Sequence, residues 1–222
     1  MKYLSFDVGI KNLAYCSLNN DKKILDWGII NLNKDPKCQC GIQKECPKTA
    51  TYQINDPGNN EVKYCCTTHI KKHKGKKKKL NSNYDLFKIS QIMMKELNSK
   101  VDFLNHEIIC IENQPALKNP TMKSVQMILY TYFLIEGIKT LKTIKDILMI
   151  NARNKLKAYT GPAIQCDIKD RYKKTKFLAV KYCEIMIHEN TDIDPKFRKL
   201  FEESKKKDDL ADAYLQGMYY IT

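Results

Sequence analysis

The 222-residue chain has no apolar run approaching the roughly 18 to 20 residues that a membrane-spanning helix needs. It has no small-residue cleavage site behind its first residues, and MKYLSFDVGI places Asp7 inside the first apolar stretch. That segment reads as a core strand and not as a signal peptide, so a soluble intracellular protein with no membrane partner is expected. Arginine is scarce: only Arg153, Arg171 and Arg198 interrupt the lysines. Internal repeats are absent, and the one low-complexity tract is a lysine run. Acids are the minority, 25 against 39 Lys and Arg, which gives a formal net charge of +14 and a pI near 9.2. That balance favours a polyanionic partner, because each phosphate neutralised by a lysine releases counterions. A lysine-rich composition with no nucleic-acid role is the alternative that charge alone leaves open.

Hydrophobic residues make up 43% of the chain, enough to bury a core, and the length suits one domain with an insertion. KYLSFD (2–7), NLAYCSL (12–18) and ILDWGIINL (24–32) read as three strands of an antiparallel meander. Residues 34–81 break the pattern and read as an insertion after the third strand. From Tyr84 the period becomes helical, with Leu86, Ile89, Ile92, Met93 and Leu97 on one face. EIICIEN (107–113) and DILMIN (146–151) read as buried strands. Between them, 121–141 reads as one long helix begun by Thr121 as N-cap. Its apolar residues, including Met127, Leu129, Tyr130, Tyr132 and Phe133, lie on more than one side. They suit packing inside the monomer and, equally, packing against a partner. Residues 169–188 read as a basic amphipathic helix, DPKFRKLFEES as a short one and KKDDLADAYLQGMYYI as the last. The expected architecture is α/β, a mixed five-stranded sheet flanked by helices. Residues 1–33 and 82–222 form its main domain and 34–81 a cysteine- and lysine-rich insertion.

Four acids occupy telling positions. Asp7 and Glu112 each end an apolar strand, where a lone buried carboxylate is costly. Asp209 and Asp212 stand i, i+3 on the last helix and share a face. If the strands are neighbours and the last helix packs beside them, four carboxylates converge. Their repulsion is relieved by cations, and Mg²⁺ favours such an all-oxygen environment. Two ions about 4 Å apart activate a water and stabilise the leaving oxygen in phosphodiester hydrolysis. Taken singly, each acid has a bland reading as a turn cap or a helix-dipole partner. Asp208, i, i+4 to Asp212, is the rival of Asp209, or else an N-cap or outer group.

FDVGIKNLAYC (6–16), CIENQP (110–115) and KKDDLADAY (206–214) resemble, in order, the three motifs of the Holliday junction resolvases of poxviruses and related large DNA viruses. That family resembles in turn the bacterial RuvC and fungal mitochondrial resolvases. The resemblance covers nearly the whole chain outside the insertion. It implies an RNase H-like fold and a homodimer that nicks four-way junctions symmetrically with Mg²⁺, for which Mn²⁺ can substitute. It places Asp7, Glu112, Asp209 and Asp212 at the catalytic positions. It further implies a role in recombination, repair or replication, in a viral protein acting at the replication site of its host cell. Physical reasoning leaves two alternatives: an RNase H-like nuclease acting on RNA–DNA hybrids or other branches, and a non-catalytic zinc-containing DNA-binding protein.

Five of nine cysteines fall within 29 residues, which in an intracellular chain suggests metal and not disulfides. Cys66 and His69 have the C-x-x-H spacing of two ligands on one turn. Cys46 with Cys38 or Cys40 would complete a tetrahedral structural Zn²⁺ site, one of the latter pair being surplus. Cys65 and His73 are possible substitutes. Cys16, Cys110, Cys166 and Cys183 read as ordinary thiols. IKKHKGKKKKL (70–80) reads as a flexible arm gripping DNA phosphates through Lys76, Lys77, Lys78 and Lys79, or as a solvated linker. Lys173, Lys174, Lys176 and Lys181 on the basic helix are further DNA-binding candidates, with Lys205, Lys206 and Lys207 beside the acidic motif.

Overall fold

The computed structural model describes residues 1–33, 36–39, 46–55, 61–73, 76–80 and 85–221. Its strands are β1 (Lys2–Val8), β2 (Asn12–Asn19), β3 (Ile24–Asn31), β4 (Tyr52–Asn55), β5 (Val62–Cys65), β6 (Lys76–Lys79), β7 (Ile108–Asn113) and β8 (Asp146–Asn151). Its α-helices are α1 (Leu86–Ser99), α2 (Pro120–Tyr132), α3 (Arg171–Glu189), α4 (Pro195–Glu203) and α5 (Lys207–Ile221). Two compact units result: Met1–Leu32 with Leu86–Thr222, and Asn33–Asp85.

The larger unit is built on a five-stranded sheet in the order β3-β2-β1-β7-β8. β1, β2 and β3 pair antiparallel as a meander, whereas β7 lies parallel to both β1 and β8. The central strands β1 and β7 are buried along nearly their whole length because helices cover both faces. Alternation along the strands divides the core in two. Leu4, Phe6, Val8, Ile109 and Ile111 point toward α1 and α2. Tyr3, Ile108 and Cys110 point toward α3, α4 and α5. Odd positions of β1 and even positions of β7 therefore share the α5 face, and Asp7 and Glu112 belong to these sets. The register Ser5↔Cys110 and Phe6↔Ile111 brings the two acids side by side at the strand ends.

Helix α5 approaches this face closely. A Cβ on Gly217 would lie 2.7 Å from Leu18 Cδ1 and 3.1 Å from Ser5 Cβ, so no larger residue fits without displacement. One helical turn is then fixed by Gln216, whose Nε2 donates to Ser5 Oγ at 3.0 Å and to the Phe6 carbonyl at 3.1 Å. The indole N–H of Trp27 donates to the Leu210 carbonyl at 3.1 Å, and its ring stacks on Phe201. These contacts set the rotation of α5 about its axis, and with it the direction in which Asp212 points.

Two local expectations are corrected. Asn119, not Thr121, caps α2: its side chain accepts from the Met122 backbone N–H at 3.2 Å. Pro120 takes the first helical position, where a missing N–H costs nothing, and so moves the cap ahead of it. The expected helix over 121–141 changes geometry at Phe133, where a π-helix runs to Leu141.

The smaller unit contains a three-stranded antiparallel sheet in the order β5-β4-β6. Ile54, Ile70, Cys38, Cys65 and Cys66 form its small core. Lys76–Lys79, expected as a flexible arm, instead form edge strand β6, paired with β4. Pairing satisfies backbone groups that β4 would otherwise expose, and the Leu80 N–H extends the ladder to the Thr51 carbonyl at 2.9 Å.

Candidate active site

In the larger unit, Asp7, Glu112 and Asp212 meet on the α5 face of the sheet. Their carboxyls are close enough for all three acids to interact electrostatically. Between them sits Lys155, on a 3₁₀ segment (Ala152–Ala158) that follows β8. Its side chain reaches inward, 2.5 Å from Asp212 Oδ2 and 3.6 Å from Glu112 Oε1, and the residue is only 7% exposed.

The electrostatics follow from burial. Enclosure of the Asp7 carboxyl, with Glu112 and Asp212 beside it, raises its pKa well above the usual carboxylate range. The interaction with Glu112 adds to this rise. Burial, reinforced by Glu112, also pushes Asp212 up, to about 6, against the opposing pull of Lys155. Burial pulls the Lys155 ammonium down, but Asp212, Glu112 and Asp7 together more than reverse this and keep it charged. One buried cation thus partly offsets three acids. Asp212 Oδ1 is buried and has no hydrogen-bond partner among the described residues. An orphaned anionic oxygen in an all-oxygen cluster is what a hard divalent cation would satisfy, so the residues present fit such an ion.

Supporting residues hold the carboxylates in place. Gln114 Nε2 donates to Glu112 Oε2 at 2.6 Å and to the Val8 carbonyl at 3.3 Å. The Gln114 backbone N–H in turn donates to Gln126 Oε1 on α2 at 2.8 Å. Asp209 lies one turn before Asp212 on α5, and its Oδ2 accepts from Asn12 Nδ2 at 2.9 Å. The turn that presents Asn12 needs Gly9, where a Cβ would stand 2.6 Å from the Asn12 carbonyl oxygen. Asp208 is paired with Lys176 at 2.5 Å, and Lys176 also acts electrostatically on Asp212. Of the other basic-helix candidates, Lys181 pairs with Glu184 at 2.8 Å, whereas Lys173 and Lys174 are exposed. Lys205 and Lys206 are exposed and Lys207 is half-buried.

Sequence reasoning missed Lys155, Gln114 and Gln126. Nothing in NARNKLKAY marks one lysine as buried in a chain holding 39 Lys and Arg residues. A usable signal existed only for Gln114, two residues after Glu112 and therefore on the same side of the strand.

In the smaller unit, Cys38, Cys46, Cys66 and His69 bring their donor atoms within 4.8 Å of one another. Tetrahedral zinc with bonds of about 2.3 Å to sulfur needs ligand separations of about 3.8 Å, so small side-chain adjustments suffice. The backbone N–H of His69, aided by that of Thr68, lowers the Cys66 pKa to about 7 and favours the thiolate. Cys38 Sγ lies 3.3 Å from His69 Nδ1. Cys65, buried in the core of this unit, is disulfide-bonded, which corrects the expectation of metal and not disulfides for this cysteine; His73 is not in the cluster. Cys40, the other candidate ligand, lies outside the described residues.

No protein-family model matches the chain. The yeast mitochondrial Holliday junction resolvase Ydc2 superposes with a TM-score of 0.54 at 16% identity, over 99% of this chain and 78% of that one. The fold is RNase H-like. The five-stranded sheet lies in the larger unit, with the acids at its strand ends and on the last helix. The fowlpox virus Holliday junction resolvase aligns with a TM-score of 0.45 and 16% identity, over 99% of this chain and 96% of that one. An uncharacterized protein of Acanthamoeba polyphaga mimivirus, L451, is 31% identical over 95% of this chain. The chain spans 60% of that relative's length.

Proposed function

We propose that this chain is a divalent-metal-dependent endonuclease that resolves four-way DNA junctions in recombination or replication. The observation that carries the reading is the convergence of Asp7, Glu112 and Asp212 around an orphaned carboxylate oxygen on an RNase H-like sheet. The fold shared with a junction resolvase and the net charge of +14 support DNA as the substrate. Asp7, Glu112 and Asp212, with Asp209 one turn along α5, would hold Mg²⁺ or Mn²⁺. Bound there, the metal would supply a water nucleophile and stabilise the leaving oxygen. Gln114 keeps Glu112 from rotating out of the cluster. Lys155 opposes charge accumulation among the acids and presents an ammonium where phosphate charge develops. Lys176, at the rim, and Lys173, Lys174 and Lys181 on the same helix supply cations for the flanking phosphates. Exposed apolar residues Met127 and Ile135 on α2 and its continuation support a homodimer, whose two-fold symmetry matches that of a junction. A similar protein in a mimivirus supports a viral setting.

The test is incubation of purified protein with labelled four-way junction, RNA–DNA hybrid and linear duplex, with and without Mg²⁺. Paired nicks across the junction, dependent on Mg²⁺, are expected, from a species that sediments at twice the 25.9 kDa chain mass. Cleavage confined to the hybrid would move the protein to a different nuclease class. Binding without cleavage in every metal would make it an inert DNA-binding relative.

For residues 34–81 we propose a structural zinc site formed by Cys38, Cys46, Cys66 and His69. So small a core is unlike a self-sufficient one, and metal binding would contribute folding free energy directly. About one zinc per chain is expected. Cys66→Ser should lose that zinc together with hydrogen-exchange protection in β4, β5 and β6, while β1 and β7 stay protected. A variant that keeps its zinc, or keeps full protection without it, would contradict the assignment.

A further inference from the structure

We propose that strand β6 is a docking edge for duplex DNA that enters a groove with cations on both of its faces. The inference rests on DNA being the substrate and goes beyond it by naming the contact surface and its geometry. Lys76–Lys79 are four consecutive exposed lysines on the edge of the β5-β4-β6 sheet. Successive strand residues point to opposite faces. Lys77 and Lys79 therefore flank Ile54 and Tyr52 on one face, and Lys76 and Lys78 flank Asn55 and Gln53 on the other. No acid pairs with any of the four among the described residues. The segment 33–85 carries twelve lysines against five acids, so half of the chain's net charge of +14 belongs to it.

Geometry favours a groove over a flat surface. A patch resting on one wall of phosphates would use lysines on one face only, with neutral residues between. Here both faces are charged, which suits a strand edge lying between two phosphate backbones. The major groove, about 12 Å wide, admits a two-stranded β-ribbon. Lysines two apart along a strand are about 6.8 Å apart, close to two axial steps of about 3.4 Å along one DNA strand. Lysine meets phosphate as a point charge and reads no base edges, so the contact is independent of sequence. The competing account is that edge lysines merely prevent strand-to-strand aggregation. A single lysine commonly serves that purpose, and it gives no reason for four on alternating faces.

The test uses the full chain with zinc in place, a linear duplex of mixed sequence and no Mg²⁺. Affinity is read by fluorescence anisotropy over a range of salt concentrations. The quadruple variant K76Q/K77Q/K78Q/K79Q should reduce the slope of log affinity against log salt by roughly 3 to 4, since each phosphate contact contributes about 0.9. Each pair, K76Q/K78Q and K77Q/K79Q, should account for about half. Unchanged zinc content and exchange protection of β5 establish that the sheet is intact. An unaltered slope overturns the proposal, as does dependence on one pair alone, which would describe a one-face patch. Variants that self-associate while binding DNA normally would also overturn it, in favour of edge protection. Junction cleavage by wild-type protein separates this from the nuclease reading. Cleavage with unaltered slopes removes the edge alone, and the expected slopes without cleavage remove the nuclease alone.

Discussion

Asp7→Asn should reduce Mg²⁺-dependent junction cleavage by roughly 10³-fold, about 4 kcal/mol of transition-state stabilisation. Junction affinity should change little, because binding is assigned to lysines. The same substitution should stabilise the metal-free protein at neutral pH. Free aspartate titrates near 3.9, whereas burial and neighbouring acids hold Asp7 well above that and Asp212 near 6. A folded-state pKa above the unfolded value gives stability that is complete below the unfolded pKa and lost as pH rises through the folded one. For Asp212 that loss spans roughly pH 4 to 6, and for Asp7 it begins from the same unfolded value. Asparagine cannot ionise, so the variant's Tm without divalent metal should exceed the wild type's at pH 7.5 and approach it near pH 4. The two readouts together separate a metal-binding acid from a structural one. A cap or packing residue would lose stability on substitution and keep its activity. Loss of junction binding by a folded variant would contradict the assignment of binding to the lysines.

Lys155→Met, which keeps the apolar stem and removes the charge, should lower the metal-free Tm and enlarge the stabilisation given by divalent cations. Removing one partner of a buried ion pair costs about 3 to 5 kcal/mol, because the remaining charge is left uncompensated. Here the remaining charges are acidic and the loss falls at the lower end, since burial raises the pKa of both Asp7 and Asp212 and so disfavours their charged forms. About 3 kcal/mol corresponds to a fall of roughly 6 to 12 °C for a domain of this size. Ca²⁺, which binds carboxylates, should recover more Tm in the variant than in the wild type, because no ammonium then competes for Asp212 and Glu112. Cleavage with Mg²⁺ should fall by at least tenfold if the ammonium also meets developing phosphate charge. Equal Tm values without metal, together with equal Ca²⁺ shifts, would show that Lys155 does not balance the acids.

The parts of this account legible in the sequence are those that follow from periodicity. The strands ending on Asp7 and Glu112 and the i, i+3 pair of Asp209 and Asp212 needed only the periods of strand and helix. The β1–β7 pairing then brought two distant acids onto one face, as the element order implied. Resemblance, and not spacing, ranked Asp209 above Asp208, and the structure adds that Asp208 is engaged by Lys176. What stayed hidden depended on tertiary geometry. The inward reach of Lys155 arises from a 3₁₀ segment after β8, and its burial is tolerable only because three acids surround it. No local pattern encodes that neighbourhood. The lysine run at 76–79 was misread because lysine has little strand preference; its pairing with β4 outweighs propensity. The C-x-x-H pair of Cys66 and His69 was visible from spacing, whereas the inclusion of Cys38 depends on which way its chain segment turns and Cys65 is excluded by its disulfide.

The most direct test of the central claim is a crystal structure of the protein with Mn²⁺, collected at a wavelength where manganese scatters anomalously. An anomalous peak bounded by oxygens of Asp7, Glu112 and Asp212, with Lys155 withdrawn from Asp212, is the predicted result. At saturating Mn²⁺, a cluster with no such peak and with the Lys155–Asp212 pair intact would contradict it.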